Sequence, residues 1–247
     1  MPKKSRLDQL LVTRGFFPSR EQAQRAIMAG EIKIGTATAQ KPSELVEPGA
    51  EIVATNPPKY VGRGGLKMDG ALEHFGIDVT GKIALDIGAS TGGFTDCLLQ
   101  RGAEKVYAVD VGHDQLAWKF RNDPRVIVLE KTNARYLSTN EIPDPVGICV
   151  IDVSFISLTL VLPPAFGLVT PDGVIVALIK PQFELQRKDV GAGGIVHDSA
   201  LHERAQRKIV DFVTNTLGHT VVGLVPSPVP GTNGNQEFFA CLQKRSG

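Results

Sequence analysis

Hydrophobic positions along the chain fall into two kinds of spacing, and the change between them comes at a proline pair. Leu7, Leu10 and Leu11 recur at i, i+3 and i+4 and Gly15 closes the pattern, which predicts a short helix packed through its leucines. Ser19 followed three positions later by Gln22 has the form of a capping box, in which the hydroxyl satisfies an orphan amide. Ala23, Ala26 and Ile27 then make one apolar face up to Gly30, and this second helix exposes Arg20 and Arg25. Residues 31–35 alternate with period two, and residues 51–54 do so more weakly after the Pro48-Gly49 turn, so short strands follow the helices. Asn56-Pro-Pro-Lys-Tyr60 can continue neither a helix nor a ladder and reads as a linker.

Beyond the linker, residues 83–87, 106–110, 126–129, 147–152 and 174–179 are apolar almost throughout and alternate with helical patterns. Such runs predict a parallel sheet covered on both faces. A helix over 202–217, with Ile209, Val210, Phe212 and Val213 on its apolar side, leads into strands at 220–225 and 237–242, a pair suited to an antiparallel edge. The expected fold is α/β, with a mostly parallel seven-stranded sheet behind a small α+β module, divided at 1–58 and 59–247.

At 247 residues, 42% hydrophobic and 21% charged, the chain can bury one or two cores and is unlike disordered, collagen-like or disulfide-stapled sequences. Cys97, Cys149 and Cys241 are widely separated, odd in number and outside any CxxC or Cys/His spacing, which argues against a zinc site or disulfide framework and suits a reducing cytoplasm. No histidine has a second His or a Cys three or four positions away, so no metal is assigned. The start, MPKKSRLDQLL, is basic but lacks the apolar run of a signal peptide. The most apolar stretch, 146–169, is broken by Asp152, Pro163 and Pro164, so no membrane span is expected.

The net charge of +1 conceals an asymmetry. Residues 1–67 carry 11 Lys+Arg against 6 Asp+Glu, and residues 68–247 carry 16 against 20. A basic front module beside a more acidic body suggests that the front meets a polyanion.

The candidate chemistry lies where strands end. Asp86-Ile-Gly88-Ala-Ser90-Thr-Gly92-Gly93-Phe94 sits at the turn from a buried strand into a helix, where glycine lets backbone approach a ligand closely. The Gly-x-x-x-Gly-Gly spacing differs from the Gly-x-Gly-x-x-Gly of dinucleotide binders. Asp110 ends the next strand, where a carboxylate can accept hydrogen bonds from both ribose hydroxyls of a nucleoside ligand. Asp152 and Lys180 end the fourth and fifth strands, which the crevice rule for open α/β sheets places beside a ligand. Asp152-Val-Ser-Phe155 follows the fourth strand, where an Asn or Asp-Pro-Pro-aromatic motif is absent. Phe183-Glu184 and Gly191-Ala-Gly-Gly194 form either a segment that closes over substrate or a plain surface loop.

Two resemblances give these residues a common purpose. Arg6-Leu-Asp8, Gly15, Ser19-Arg20-x-x-Ala23 and Ile27-x-x-Gly30-x-Ile32-x-Ile34 resemble the αL-type RNA-binding domain that ribosomal small-subunit protein four shares with pseudouridine synthases, with Gly35-Thr36 where that family usually has Asn-Gly. The resemblance implies that Arg14, Arg20, Arg25 and Lys33 contact phosphates. Residues 60–245 resemble class I S-adenosylmethionine-dependent methyltransferases, specifically the FtsJ-like ribose methyltransferases with a Rossmann-like fold. That implies S-adenosyl-L-methionine as cofactor, with Asp86 near its methionine end, Gly88, Ser90, Gly92 and Gly93 along it, Asp110 on its ribose and Asn133 near its adenine. It also implies a catalytic set of Lys67, Asp152, Lys180 and Glu237.

The whole chain is similar to the TlyA family, haemolysin-named enzymes of the cytoplasm that methylate ribose 2′-hydroxyls of rRNA. The resemblance implies ribosomal RNA or ribosomal subunits as partner and a cytidine of large-subunit rRNA as target, with small-subunit rRNA modified by some members. Two other function classes stand beside it. A membrane-active haemolysin would be told apart by liposome leakage, and an RNA-binding protein with an inactive methyltransferase fold by failure to bind the cofactor.

Overall fold

The computed structural model describes residues 4–17, 19–231 and 234–245; the Met1–Lys3 start of the basic N-terminus lies outside them. In the front module, β1 (Ser5–Arg6), α1 (Leu7–Thr13), α2 (Arg20–Met28), β2 (Ile32–Ile34), β3 (Ala37–Thr38), β4 (Leu45–Val46) and β5 (Ile52–Ala54) follow in order. β3, β2 and β5 form one antiparallel sheet, and β1 pairs with β4. Ser19 caps α2 by accepting from the Gln22 amide at 3.3 Å. Leu7, Leu11, Ala23, Ile27 and Ile32 make the core of this module. Its polar fastening is Asp8, wholly buried at the start of α1, whose carboxylate accepts from Arg6 at 3.0 and 2.9 Å, Arg20 at 2.9 Å and Gln24 at 2.8 Å. The Arg6 guanidinium, with Gln24 and Arg20, holds that carboxyl well below the usual carboxylate range.

The body comprises α3 (Arg63–His74), β6 (Ile83–Ile87), α4 (Gly93–Gln100), β7 (Lys105–Val109), α5 (Trp118–Arg121), β8 (Val126–Leu129), β9 (Val146–Ile151), α6 (Leu162–Leu168), β10 (Val169–Ile179), α7 (Pro181–Glu184), α8 (Ser199–Asp211), β11 (Thr220–Pro226) and β12 (Phe238–Gln243). One seven-stranded sheet runs in the order β11-β12-β10-β9-β6-β7-β8. Only β12 runs against the others, since it pairs antiparallel with both β10 and β11. Alternate residues of each strand feed opposite cores: Val106 and Ala108 of β7 join one, and Tyr107 and Val109 join the other. Both faces are thereby covered, which is why the strands read as continuous apolar runs.

The chain order fixes where a ligand can enter. From β6 the chain builds outward through β7 and β8, then returns to the other side of β6 with β9. The helices on either side of that reversal diverge, leaving a crevice at the carboxyl ends of β6 and β9.

Candidate active site

β6 turns into α4 through backbone that only small residues hold comfortably: Gly88 has φ 88°, Ser90 φ 48° and Gly92 φ 94°. A Cβ on Gly88 would overlap the carbonyl oxygen of Asp152, so glycine is what lets this turn lie against the end of β9. Gly92 is equally constrained, by Phe120 and Leu116, and a Cβ on Gly93 would come within 3.0 Å of the Gly65 amide nitrogen where α3 crosses α4.

Beside the turn lies a cavity of about 400 Å³, within the size range of small-molecule sites. Gly88, Ser90, Asp110, Asn133 and Asp152 line it, as does Phe155 of the Asp152-Val-Ser-Phe155 motif; Val111, Gln115, Thr132 and Arg135 line it too and carry no motif in the sequence. Asp86, Gly92 and Gly93 stand behind the lining and shape the turn from within. The Asp110 carboxylate is held by two backbone amides, accepting from Ser90 at 2.8 Å and Gly112 at 2.7 Å. Each of its oxygens keeps a lone pair for a ligand hydroxyl. Asn133 accepts the Arg135 amide through its side-chain oxygen at 3.1 Å, which leaves its amide nitrogen to donate.

Asp86 is wholly buried; one oxygen accepts from the Thr95 hydroxyl at 2.6 Å, and the other has no partner among the described residues. Burial pushes its carboxyl up to about 7 against the pull of Thr95, and the charges of Asp152 and Asp110 add to the rise. An orphaned carboxylate oxygen behind a glycine cradle and two amide-held acceptors suit a ligand that carries both an ammonium group and a ribose. S-adenosylmethionine has both.

The four expected catalytic residues arrive by different routes at one end of the sheet. Asp152 follows the last residue of β9 and Lys180 the last residue of β10, and these strands are parallel neighbours. β12 runs the other way, and its first residue, Phe238, pairs with Ile179, so Glu237 lies one step further at the level of Lys180. Lys67 comes from α3. Two ion pairs result. The Lys67 ammonium donates to Glu237 at 2.6 Å, with both residues buried. The Lys180 ammonium stands 2.5 Å from Asp152 Oδ1, at an angle that makes an ionic contact rather than an aligned hydrogen bond, and donates to the Ser154 hydroxyl at 3.0 Å.

Phe155 closes the motif after β9 in a conformation the sequence pattern does not show. The residue is 91% exposed, its backbone is left-handed at φ 64°, and its ring leans on Phe183 with centroids 5.0 Å apart. Phe183 and Glu184 belong to α7, and Glu184 is buried. The Gly191–Gly194 stretch forms a tight turn fastened by the Asn235 side chain, which donates to Gly194 O and accepts from the Val196 amide, both at 2.9 Å.

The expected phosphate contacts lie on the front module, away from this cavity. Arg25 and Lys33 are exposed, and their side chains make no hydrogen bond among the described residues. Arg20 is partly committed to Asp8, and Arg14 donates to Ala50 O at 2.7 Å while packing over Phe16. Among the described residues no helix is long and apolar enough to cross a membrane.

Comparison with known proteins accounts for both parts. Residues 60–244 match the family model described as FtsJ-like methyltransferase, and residues 5–52 match the S4 domain. A 16S/23S rRNA (cytidine-2′-O)-methyltransferase, TlyA, of Mycobacterium tuberculosis is 46% identical over 100% of this chain and 92% of its own length. Hemolysin A of Brachyspira hyodysenteriae is 42% identical over 95% of this chain and 98% of its own. A solved structure of a hemolysin-named protein from Streptococcus thermophilus superposes with a TM-score of 0.74 at 43% identity, covering 100% of this chain and 90% of the other. Matches that span nearly the full length, and a family model that covers the whole Rossmann-like body, place the chain in the FtsJ-like methyltransferase family, with an S4 domain ahead of the methyltransferase fold.

Proposed function

We propose that this protein is a cytoplasmic, S-adenosylmethionine-dependent rRNA methyltransferase that acts on a ribose 2′-hydroxyl, with a cytidine as the target. The observation that carries the reading is the pair of lysine–carboxylate contacts gathered at the end of β9, β10 and β12, next to a cavity fitted to a nucleoside. The division of labour is at 1–58, which holds RNA, and 59–247, which does the chemistry; the two family matches, 5–52 and 60–244, support it.

When bound, S-adenosylmethionine supplies an electrophilic methyl group on a sulfonium that leaves readily. The residues of this chain then have three tasks. Asp110 and Asn133 orient the nucleoside portion, the first by accepting from ribose hydroxyls and the second by donating toward the base. Phe155 offers an exposed flat ring at the mouth of the cavity on which an unstacked base can rest, as single-stranded RNA recognition generally requires.

The third task is proton removal, because a ribose hydroxyl is a poor nucleophile at neutral pH. Lys180, held by Asp152 and Ser154 in the arrangement described above, is the group placed to take that proton or to stabilise the alkoxide that develops as the oxygen attacks. The buried Lys67–Glu237 pair contributes a fixed dipole beside the developing charge.

Purified protein, labelled cofactor and deproteinised or subunit-bound rRNA test the proposal directly. The labelled nucleotide should resist alkaline cleavage, since a methylated 2′-oxygen cannot attack its own phosphate. Cleavage at the labelled position would put the methyl group on a base, and the absence of transfer to any rRNA preparation would reject the activity.

The front module carries its own expectation. Arg25→Ala with Lys33→Ala should weaken rRNA binding about tenfold at low salt and make log Kd less steep against log salt, because two phosphate contacts are lost. The methylated position should stay the same, as phosphate contacts position while base contacts specify. A shifted target with unchanged affinity in filter binding and methylation mapping would overturn this assignment.

A further inference from the structure

Asp152 and Lys180 leave the sheet on two separate loops, and what keeps those loops in register is a buried carboxylate that the chemistry above does not use. Glu184 lies four residues after Lys180 and is 6% exposed. Its side chain accepts from the Ser157 hydroxyl at 2.6 Å, the Leu158 amide at 2.7 Å and the Lys208 ammonium at 2.8 Å. Ser157 lies five residues after Asp152. The carboxylate thus fastens the far end of the loop that starts at Asp152 to the far end of the segment that starts at Lys180. Lys208 of α8 closes the fastening from outside through Glu184 O at 2.8 Å and the Ser157 hydroxyl at 3.2 Å.

Strain within the fastened loop says what the fastening does. Phe155 is a bulky residue in left-handed backbone at φ 64° with its side chain almost fully in solvent, so burial of its own ring does not hold it there. A strained residue persists only where its surroundings over-determine it. Upstream, the Asp152 amide is bonded to Ile87 O at 2.9 Å in the sheet; downstream, Ser157 and Leu158 are bonded to Glu184. Between those two fixed points lie Ser154, which accepts from Lys180, and Phe155, which lines the cavity.

We propose that Glu184 is a positioning residue for methyl transfer: through Ser157 and Leu158 it holds the Asp152–Phe155 loop at the distance from Lys180 that the reaction needs. The proposal rests on the methyltransferase reading above. A carboxylate that merely stabilised the fold would alter the melting temperature and leave the rate per folded molecule unchanged. A positioning residue alters the rate at saturation and leaves the binding steps alone.

Glu184→Gln keeps the volume and one acceptor oxygen but loses the charge that gathers Ser157, Leu158 and Lys208. Single-turnover transfer at saturating cofactor and rRNA should fall about tenfold or more, with the Kd values for S-adenosylmethionine and rRNA within about threefold of wild type. Ser157→Ala, which removes one limb without leaving a charge unpaired, should show a milder loss of the same kind. The double variant should lose little more than Glu184→Gln alone, as residues of one unit do. Hydrogen exchange supplies a readout independent of activity: peptides spanning 152–160 should exchange faster in Glu184→Gln, while peptides from β6 and β7 should not. A wild-type protein that methylates no ribose hydroxyl would reject the functional reading, and the fastening would still be judged by exchange. Unchanged exchange in 152–160, or an unchanged transfer rate in a folded Glu184→Gln protein, would overturn the proposal itself.

Discussion

Lys180→Ala is expected to lower single-turnover methyl transfer about 100-fold or more while S-adenosylmethionine and rRNA bind within severalfold of wild type. Asp152→Ala should behave alike, because its carboxylate stands 2.5 Å from the Lys180 ammonium and holds it in place. This pair is a cleaner target than Lys67–Glu237. Both members of the latter are buried, and removing one leaves an uncompensated charge at a cost of about 3–5 kcal/mol, so loss of activity would be mixed with loss of fold. Asp152 and Lys180 lie at the crevice mouth, where water can reach them, and Ser154 still accepts from Lys180 if Asp152 is gone. A double variant that loses little more rate than Lys180→Ala would mark the two as one unit. A folded Lys180→Ala protein that transfers methyl groups at near wild-type rate would remove the lysine from the reaction.

The second large effect is on stability and runs with pH. The Asp86 carboxyl titrates near 3.8 ordinarily and is pushed up to about 7 by burial in the fold. Between those values the folded protein keeps a proton that the unfolded chain has released, so stability falls as pH rises through the window and stays low above it. Asparagine at this position has no such titration and can still accept from Thr95. Without cofactor, Asp86→Asn should therefore be more stable than wild type by about 3–4 kcal/mol more at pH 8 than near pH 4, on the scale of 1.36 kcal/mol per pH unit of displacement. Urea unfolding at the two pH values measures that difference. A gap of the same size at both would mean that Asp86 is ionised throughout. The orphaned oxygen gives the excess stability a functional counterpart: Asp86→Asn should lose cofactor affinity as it gains stability, the trade expected where a site is built at the expense of the fold.

Much of this arrangement is legible in the chain before any coordinates. Runs such as Ile83–Ile87 and Val126–Leu129 are apolar on both faces because both faces are covered, so their pattern announces a parallel sheet directly. Strand ends then point to Asp110, Asp152 and Lys180 by topology alone. Helix α3 is different. It starts Arg63-Gly-Gly-Leu, and two adjacent glycines argue against a helix by propensity; Gly65 is needed because a Cβ there would overlap the Tyr60 side chain, and Gly93 of α4 lets the two helices cross closely.

The helix read over 202–217 also differs in its detail. It runs regularly only over Ser199–Asp211 and then widens into a π turn at Phe212–Thr216, a change in hydrogen-bond partner that leaves no mark on hydrophobic spacing. β1, β3 and β4 are two residues each, too short for any alternation to show. Phe155 and Glu184 belong to segments the sequence marks, but their individual environments are not legible there, for opposite reasons. A phenylalanine is expected to be buried and a glutamate exposed, and here a strained turn and a three-donor pocket reverse both.

The reversed strand β12 has a consequence for the order in which the protein becomes able to work. It is the last of the seven strands to be synthesised, yet it lies inside the sheet, between β10 and β11. A nascent chain that has emerged only as far as β11 already contains the glycine turn, Asp110, Asp152 and Lys180, but Lys67 has no carboxylate to meet and β10 has one open edge. Insertion of β12 closes that edge and delivers Glu237 to Lys67 in the same event. Completion of the sheet and completion of the buried charge pair therefore depend on the same strand, and the charge pair joins residues 170 positions apart. A chain stalled before it carries every residue that lines the cavity, and lacks the pair beside it.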